Sequence, residues 1–96
     1  VYIPNVFSPN GDGINDKFQI YTGIGVSRIN FVRIFDRWGE LVFEELDLLP
    51  SIDGTPGWDG VFRDKDMDPA VFIYTVEVEF VDGRRLVYRG DVTLLR

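Results

Sequence analysis

The chain has 96 residues, a formal charge of −6, and neither histidine nor cysteine. Those absences exclude imidazole relays, thiolate nucleophiles, disulfide frameworks and Cys/His zinc centres, and the acidic balance lacks the basic footprint of a nucleic-acid binder. A hydrophobic share of 45% with 8 phenylalanines is enough for one domain's core, and no apolar run approaches the ~20 residues of a membrane span.

Taken in order, "VYIPNVF" (1–7) is a strand that Pro4 confines to an edge or interrupts. "SPNGDGIND" (8–16) follows, and two readings stand for it. Asn10, Asp12, a backbone oxygen at Ile14 and Asp16 have the every-second-residue spacing of half a calcium loop, with Gly11 and Gly13 free to wrap tightly. The closing bidentate glutamate is missing, because position 19 is Gln19. The other reading is a structural bend, since Ser8-Pro9-Asn10-Gly11 has β-turn chemistry and Asn or Asp side chains cap nearby amides. "KFQIY" (17–21) is the next short strand.

"RINFVRIFDRWGELVFEE" (28–45) reads as a hairpin. Ile29, Phe31, Arg33 and Phe35 alternate with Asn30, Val32, Ile34 and Asp36, and "DRWG" turns on Gly39. "FEELDLLPSI" (43–52) has room for one short helical turn before Pro50. Asp64, Asp66 and Asp68 alternate in "DKDMD", which reads as a solvated loop, with a second cation site as the sharper alternative. Trp38 and Trp58 each precede a glycine turn and are expected to plug the ends of the core through their indoles.

The clearest period-two run is "VFIYTVEVEF" (71–80), where Phe72, Tyr74, Val76, Val78 and Phe80 share one face. Asp82-Gly83 turns the chain and "RRLVYRG" returns, giving a hairpin over 71–90. "DVTLLR" (91–96) closes the chain as a last strand. In 84–96, Arg84, Arg85, Arg89 and Arg96 stand against Asp91 alone, so this end is basic in an acidic protein. About seven short strands with turn signals between them predict an all-β fold, an immunoglobulin-like antiparallel β-sandwich.

With "PNVFSPNGDGINDKF", "IFDRWGELVFE", "WDG" and "GDVTLLR" in that order, the chain resembles the gliding-motility-associated C-terminal domain, the type B sorting domain of the Bacteroidota type IX secretion system. The resemblance runs from about Ile3 to Arg96. It departs at Asp36, where the family usually has asparagine, and at Ala70, where it tends to have glycine. It implies that 1–96 is a single C-terminal sorting domain, a fragment of a longer secreted or cell-surface protein, consistent with a chain opening on Val1. The protein it belongs to would cross the periplasm and reach the cell surface or the exterior. The implied partners are the type IX translocon and a small outer-membrane barrel of the PorP/SprF kind. No catalysis and no required cofactor are implied, calcium being the one ion the 8–16 loop admits.

Apolar residues on both faces of the last strand leave a surplus of hydrophobic surface. On pattern alone a neighbouring loop covering Leu95 would account for it. The resemblance favours instead a recognition segment of Gly90, Val92, Thr93, Leu94, Leu95 and Arg96, captured as an edge strand, with Arg84, Arg85 and Arg89 in support. The domain is expected to be monomeric, without nucleic acid and without a membrane span of its own. The alternative function is an adhesin-type module holding a glycan or protein through Trp38, Trp58 and the acidic turns. Enzymatic use of Asp59 with Asp64, Asp66 or Asp68 would need two carboxyls ~5–9 Å apart across a cleft, for which a sandwich this small has little room.

Overall fold

A computed structural model describes residues 1–11, 13 and 15–96. The described residues form strands and no helix: β1 (Val6–Phe7), β2 (Val26–Phe35), β3 (Leu41–Leu48), β4 (Val61–Phe62), β5 (Lys65–Asp66), β6 (Ala70–Phe80) and β7 (Arg85–Leu94). Five of them make one sheet in the order β1-β7-β6-β2-β3, and β4-β5 make a second, two-stranded sheet. All neighbours in the large sheet are antiparallel except β1, which runs parallel to β7. The result is a sandwich-like all-β fold of unequal layers, as the turn-punctuated alternation predicts.

β6 obeys its sequence pattern. Phe72, Val76 and Val78 are buried, with Tyr74 and Phe80 half-buried on the same side. β2 does not keep its parity. Ile29 is buried, but so are Val32 and Ile34, and the register against β6 slips between Ile29 and Phe31. The extra residue, Asn30, is a β-bulge, and one inserted residue transfers every following side chain to the opposite face. Its amide is not wasted, because Nδ2 donates to the Glu77 carboxylate at 3.0 Å. Beyond the bulge, Arg33 lies outside the core, 4.1 Å over the Phe31 ring and 2.7 Å from Glu44.

Four other expectations change. "FEELDLLPSI" gives no helical turn, because β3 runs on to Leu48 in register with Ile29. "KFQIY" is not a continuous strand but makes two isolated bridges, Tyr2↔Tyr21 and Phe18↔Trp58. "DVTLLR" is no separate strand, since β7 continues without a break from Arg85 to Leu94. "DKDMD" also contributes a strand: Val61↔Asp66 and Phe62↔Lys65 pair as a tight hairpin. Its two turn residues, Arg63 and Asp64, have φ of 53° and 63°. Such a turn normally advertises itself with Asn-Gly or Asp-Gly, so nothing in "RD" signalled it.

The core lies between the five-stranded sheet and the segments around 18–20 and 55–58. Trp58 is at its centre, with ring centroids 5.5 Å from Phe7, 5.1 Å from Phe72 and 6.2 Å from Phe43. Its indole N–H donates to the Val61 carbonyl at 2.9 Å, the bond expected of it, although the ring lies within the core and not at its end. Trp38 does the opposite and stands 89% exposed on the β2–β3 turn. That turn closes through Asp36, whose Oδ1 accepts from the Trp38 and Glu40 amides at 2.9 Å each. An aspartate therefore serves the turn where the resembling family has asparagine, because only an acceptor oxygen is used.

β3 is an edge of the large sheet, and Glu45 lies opposite the buried Val32 on it. An inward-directed carboxylate on an edge strand discourages a further strand from adding there, because that strand's partner face would have to cover a charge. Partial burial raises the Glu45 pKa above the ordinary carboxylate value, and the Gly57 N–H pulls it partly back. A raised folded pKa means that Glu45 favours the fold most below the ordinary range and loses that contribution as pH rises through its folded value.

Candidate functional site

The end of β7 is anchored from both sides. Val92 and Leu94 are fully buried, opposite Phe72 and Ala70 of β6. On the other side β1 lies alongside: Thr93 N–H donates to the Asn5 carbonyl and Leu95 N–H to the Phe7 carbonyl, both at 2.9 Å. The edge-strand reading of 92–95 is thereby corrected. β1 is short and parallel, yet its two residues sit against the last residues of β7. The open edge lies upstream, at 85–91, which pairs with β6 alone among the described strands.

The arginines differ in their commitments. Arg84 pairs with Asp82 at 2.7 Å in the β6–β7 turn, and Arg85 pairs with Glu79 at 3.1 Å. The backbone N–H of Arg84, helped by its guanidinium, holds the Asp82 carboxyl below its usual value. Arg96 clamps the root of the β4–β5 hairpin: Nε donates to the Met67 carbonyl at 2.7 Å and Nη2 to the Gly60 carbonyl at 3.1 Å. Gly60 and Met67 are themselves bonded across that root at 2.8 Å. Arg89 makes no ion pair among the described residues and is exposed.

Gly90 has a packing role. A Cβ there would stand 2.6 Å from the Tyr74 hydroxyl, so the glycine leaves room for the phenol to cross the strand. Burial raises the Tyr74 pKa, and the charge of Asp91 adds to the rise. The nine residues of the expected recognition segment thus separate by what they touch. Val92, Leu94 and Gly90 hold the core, while Arg84, Arg85 and Arg96 are engaged in local pairs. Arg89, Thr93 and Leu95 remain directed outward, with Leu95 49% exposed.

In the 8–16 loop, the calcium residues Asp12 and Ile14 lie outside the described residues. Around them the turn is well bonded. Asp16 accepts the Gly11 N–H on Oδ1 at 3.0 Å and the Gly13 N–H on Oδ2 at 2.8 Å. Ser8 N–H donates to the Asn15 carbonyl at 2.7 Å, and Asn15 takes a φ of 51°. Among the described residues no three acidic side chains gather as a metal would require. Asp16→Ala is expected to cost about 1 kcal/mol in urea denaturation, because both carboxylate bonds are solvent-exposed. The same loss in millimolar calcium and in chelator assigns it to the turn. A loss confined to the calcium sample assigns it to a bound ion.

No curated protein matches this chain. The family described as CHU_C, the type IX secretion signal domain, matches residues 1–94. That span takes in the 8–16 loop, both long hairpins and all of β7. The unequal sandwich, closed by a β7 whose end is held between β1 and β6, is accordingly a member of the type IX secretion signal family, whose role is to direct a protein through the periplasm to the cell surface or the exterior.

Proposed function

We propose that 1–96 acts as a single, non-enzymatic sorting domain whose folded β7 face is the part read by the type IX machinery, with an outer-membrane barrel of the PorP/SprF kind as the receptor. The observation that carries this reading is the division within β7. Its buried residues are committed to the core, whereas Arg89, Thr93 and Leu95 face outward beside the open edge at 85–91. A receptor strand laid along that edge would find unpaired backbone groups for hydrogen bonds and arginines for charge selection. Capture of 92–95 as a strand would instead require stripping β1 away and exposing Leu94.

The test is export of a signal-peptide reporter fused to residues 1–96, in a host carrying the type IX system and the matching barrel. The wild-type fusion is expected at the surface or in the medium. Arg89→Glu with Thr93→Glu is expected to hold the reporter in the periplasm while the purified domain melts within a few degrees of wild type. Leu94→Ala should also fail, but through lost stability of about 2–5 kcal/mol, visible in the purified domain. Retention of the wild-type fusion in the periplasm refutes the sorting role of this segment. Normal export of the double variant refutes the proposed surface and leaves the family role standing.

A further inference from the structure

The two sides of the large sheet are built differently. β3 bounds one, with Glu45 directed inward against any added strand. On the other, the stretch 85–91 of β7 pairs with β6 alone among the described strands. Nothing on it bars an added strand. It holds no proline, its register against β6 is unbroken by a bulge, and Leu86, Tyr88 and Gly90 put no charge on its core side. Thr93 and Leu95 send their N–H groups away from β6, to Asn5 and Phe7. By alternation Arg85, Val87, Arg89 and Asp91 turn their own N–H and C=O groups the same way. No backbone bond outside the strands involves these residues.

The open stretch is bounded at both ends. Asp82-Gly83 turns the chain just before it, and β1 takes up the edge at Thr93 just after it. A second copy brought edge to edge by a two-fold axis runs antiparallel, and full overlap of 85–91 with itself puts that axis at the midpoint, Tyr88. In that register Arg85 stands opposite Asp91 of the second copy, and Asp91 opposite its Arg85. Both side chains are exposed, and Asp91 has no ion pair among the described residues. Arg85 bonds Glu79 through Nε, which leaves its two terminal nitrogens for the copy. Moving the axis by one residue loses the match. Centred on Val87, it sets Arg85 against Arg89 twice. Centred on Arg89, it opposes the two Arg89 side chains and runs Arg85 onto Thr93, where β1 already lies. Length and charge select the same register.

We propose that 85–91 pairs with the same stretch of a second copy of this chain, antiparallel about Tyr88, joining two five-stranded sheets into one. Opposed residues among 85, 87, 89 and 91 exchange backbone bonds, and the Arg85–Asp91 rows fix the register. Leu86 and Val87, 46% and 49% exposed, gain cover, and the two Tyr88 side chains meet at the axis. The monomer expected from the sequence is then the dilute state. This is also the edge proposed for the receptor, so self-pairing and receptor capture exclude each other. Self-pairing rests on nothing about the receptor, and export does not enter its test.

Sedimentation equilibrium of the purified domain is expected to show monomer passing to dimer between about 10 μM and 1 mM, as suits a small interface. No larger species should appear, because pairing consumes the edge. Arg85→Asp and Asp91→Arg should each weaken self-association at least ~10-fold, about 1.4 kcal/mol, while melting within a few degrees of wild type. Mixed in equal amounts, the two variants should associate at least as well as wild type, because both rows become complementary again. Disulfide trapping reads the register separately, in a chain that has no cysteine of its own. Tyr88→Cys faces its own copy at a non-hydrogen-bonded position, within the ~4.4–6.8 Å Cα separation of a disulfide. Val87→Cys and Arg89→Cys do not face themselves. Air oxidation should cross-link the first at least ~10-fold faster than either of the others. A chain that stays monomeric at ~1 mM overturns the proposal and leaves the edge to a receptor strand. A mixture that associates no better than its components overturns it too, as does cross-linking at Val87 or Arg89 as fast as at Tyr88.

Discussion

Trp58→Ala is expected to destabilise the domain by about 3–5 kcal/mol, which approaches the whole stability of a protein this size. The side chain is 1% exposed and touches three rings of the large sheet, Phe7, Phe43 and Phe72, while its backbone is bridged to Phe18. Alanine would leave a cavity at the point where the small layer meets the large one. It would also orphan the Val61 carbonyl that receives the indole N–H, and so loosen the start of β4. Urea denaturation followed by circular dichroism measures the effect, since Trp38 emission reports only its own exposed surroundings. Trp58→Phe should recover more than half of the loss by refilling most of the volume. A cost below about 1 kcal/mol for the alanine variant would mean that the two layers are not joined through Trp58.

Gly57→Ala should be nearly as damaging, for a different reason. Gly57 has a φ of +83°, and an added Cβ would stand 2.6 Å from Gln19 Cγ and 2.8 Å from the Phe18 carbonyl oxygen. The second contact is with backbone that is already bonded to Trp58 N–H at 3.0 Å, so relief requires breaking the 18–58 bridge. Gln19 cannot simply swing away, because its Nε2 donates to the Thr55 carbonyl at 2.7 Å. The expected loss is about 3 kcal/mol or more, combining left-handed strain with the displaced bridge. Gly83→Ala is the control. It has a φ of +89° but nothing within 4 Å, so only the conformational cost of about 1 kcal/mol applies. Equal losses at the two positions would show that the close approach at Gly57 is relieved elsewhere.

Much of the fold was legible because strands announce themselves by local alternation. β6, its Asp82-Gly83 turn and the returning β7 needed only period two and a turn pair, and the β2–β3 hairpin needed only "DRWG". Two elements escaped. The β4–β5 hairpin uses Arg63 and Asp64 at positive φ where glycine would have been the signal, and two-residue strands are too short to show a period. The bulge at Asn30 was equally silent, since nothing marks one residue in an alternating run as the extra one. The two tryptophans show the same limit: each has a glycine within the next two residues, yet Trp58 packs among Phe7, Phe43 and Phe72 while Trp38 stands exposed on the turn at 36–39.

The site divides along that line. By itself the sequence determined that the protein is an all-β domain without imidazole or thiol chemistry, that its last strand carries a basic cluster, and that its ordered motifs belong to a type IX secretion signal. Residue type and near-neighbour spacing carry all of this. Only the tertiary structure decided which face of β7 is available, that β1 covers its end, and that the open edge lies at 85–91. Those facts depend on which strands lie side by side, and pairing between residues 87 positions apart leaves no trace in the local alternation of either strand.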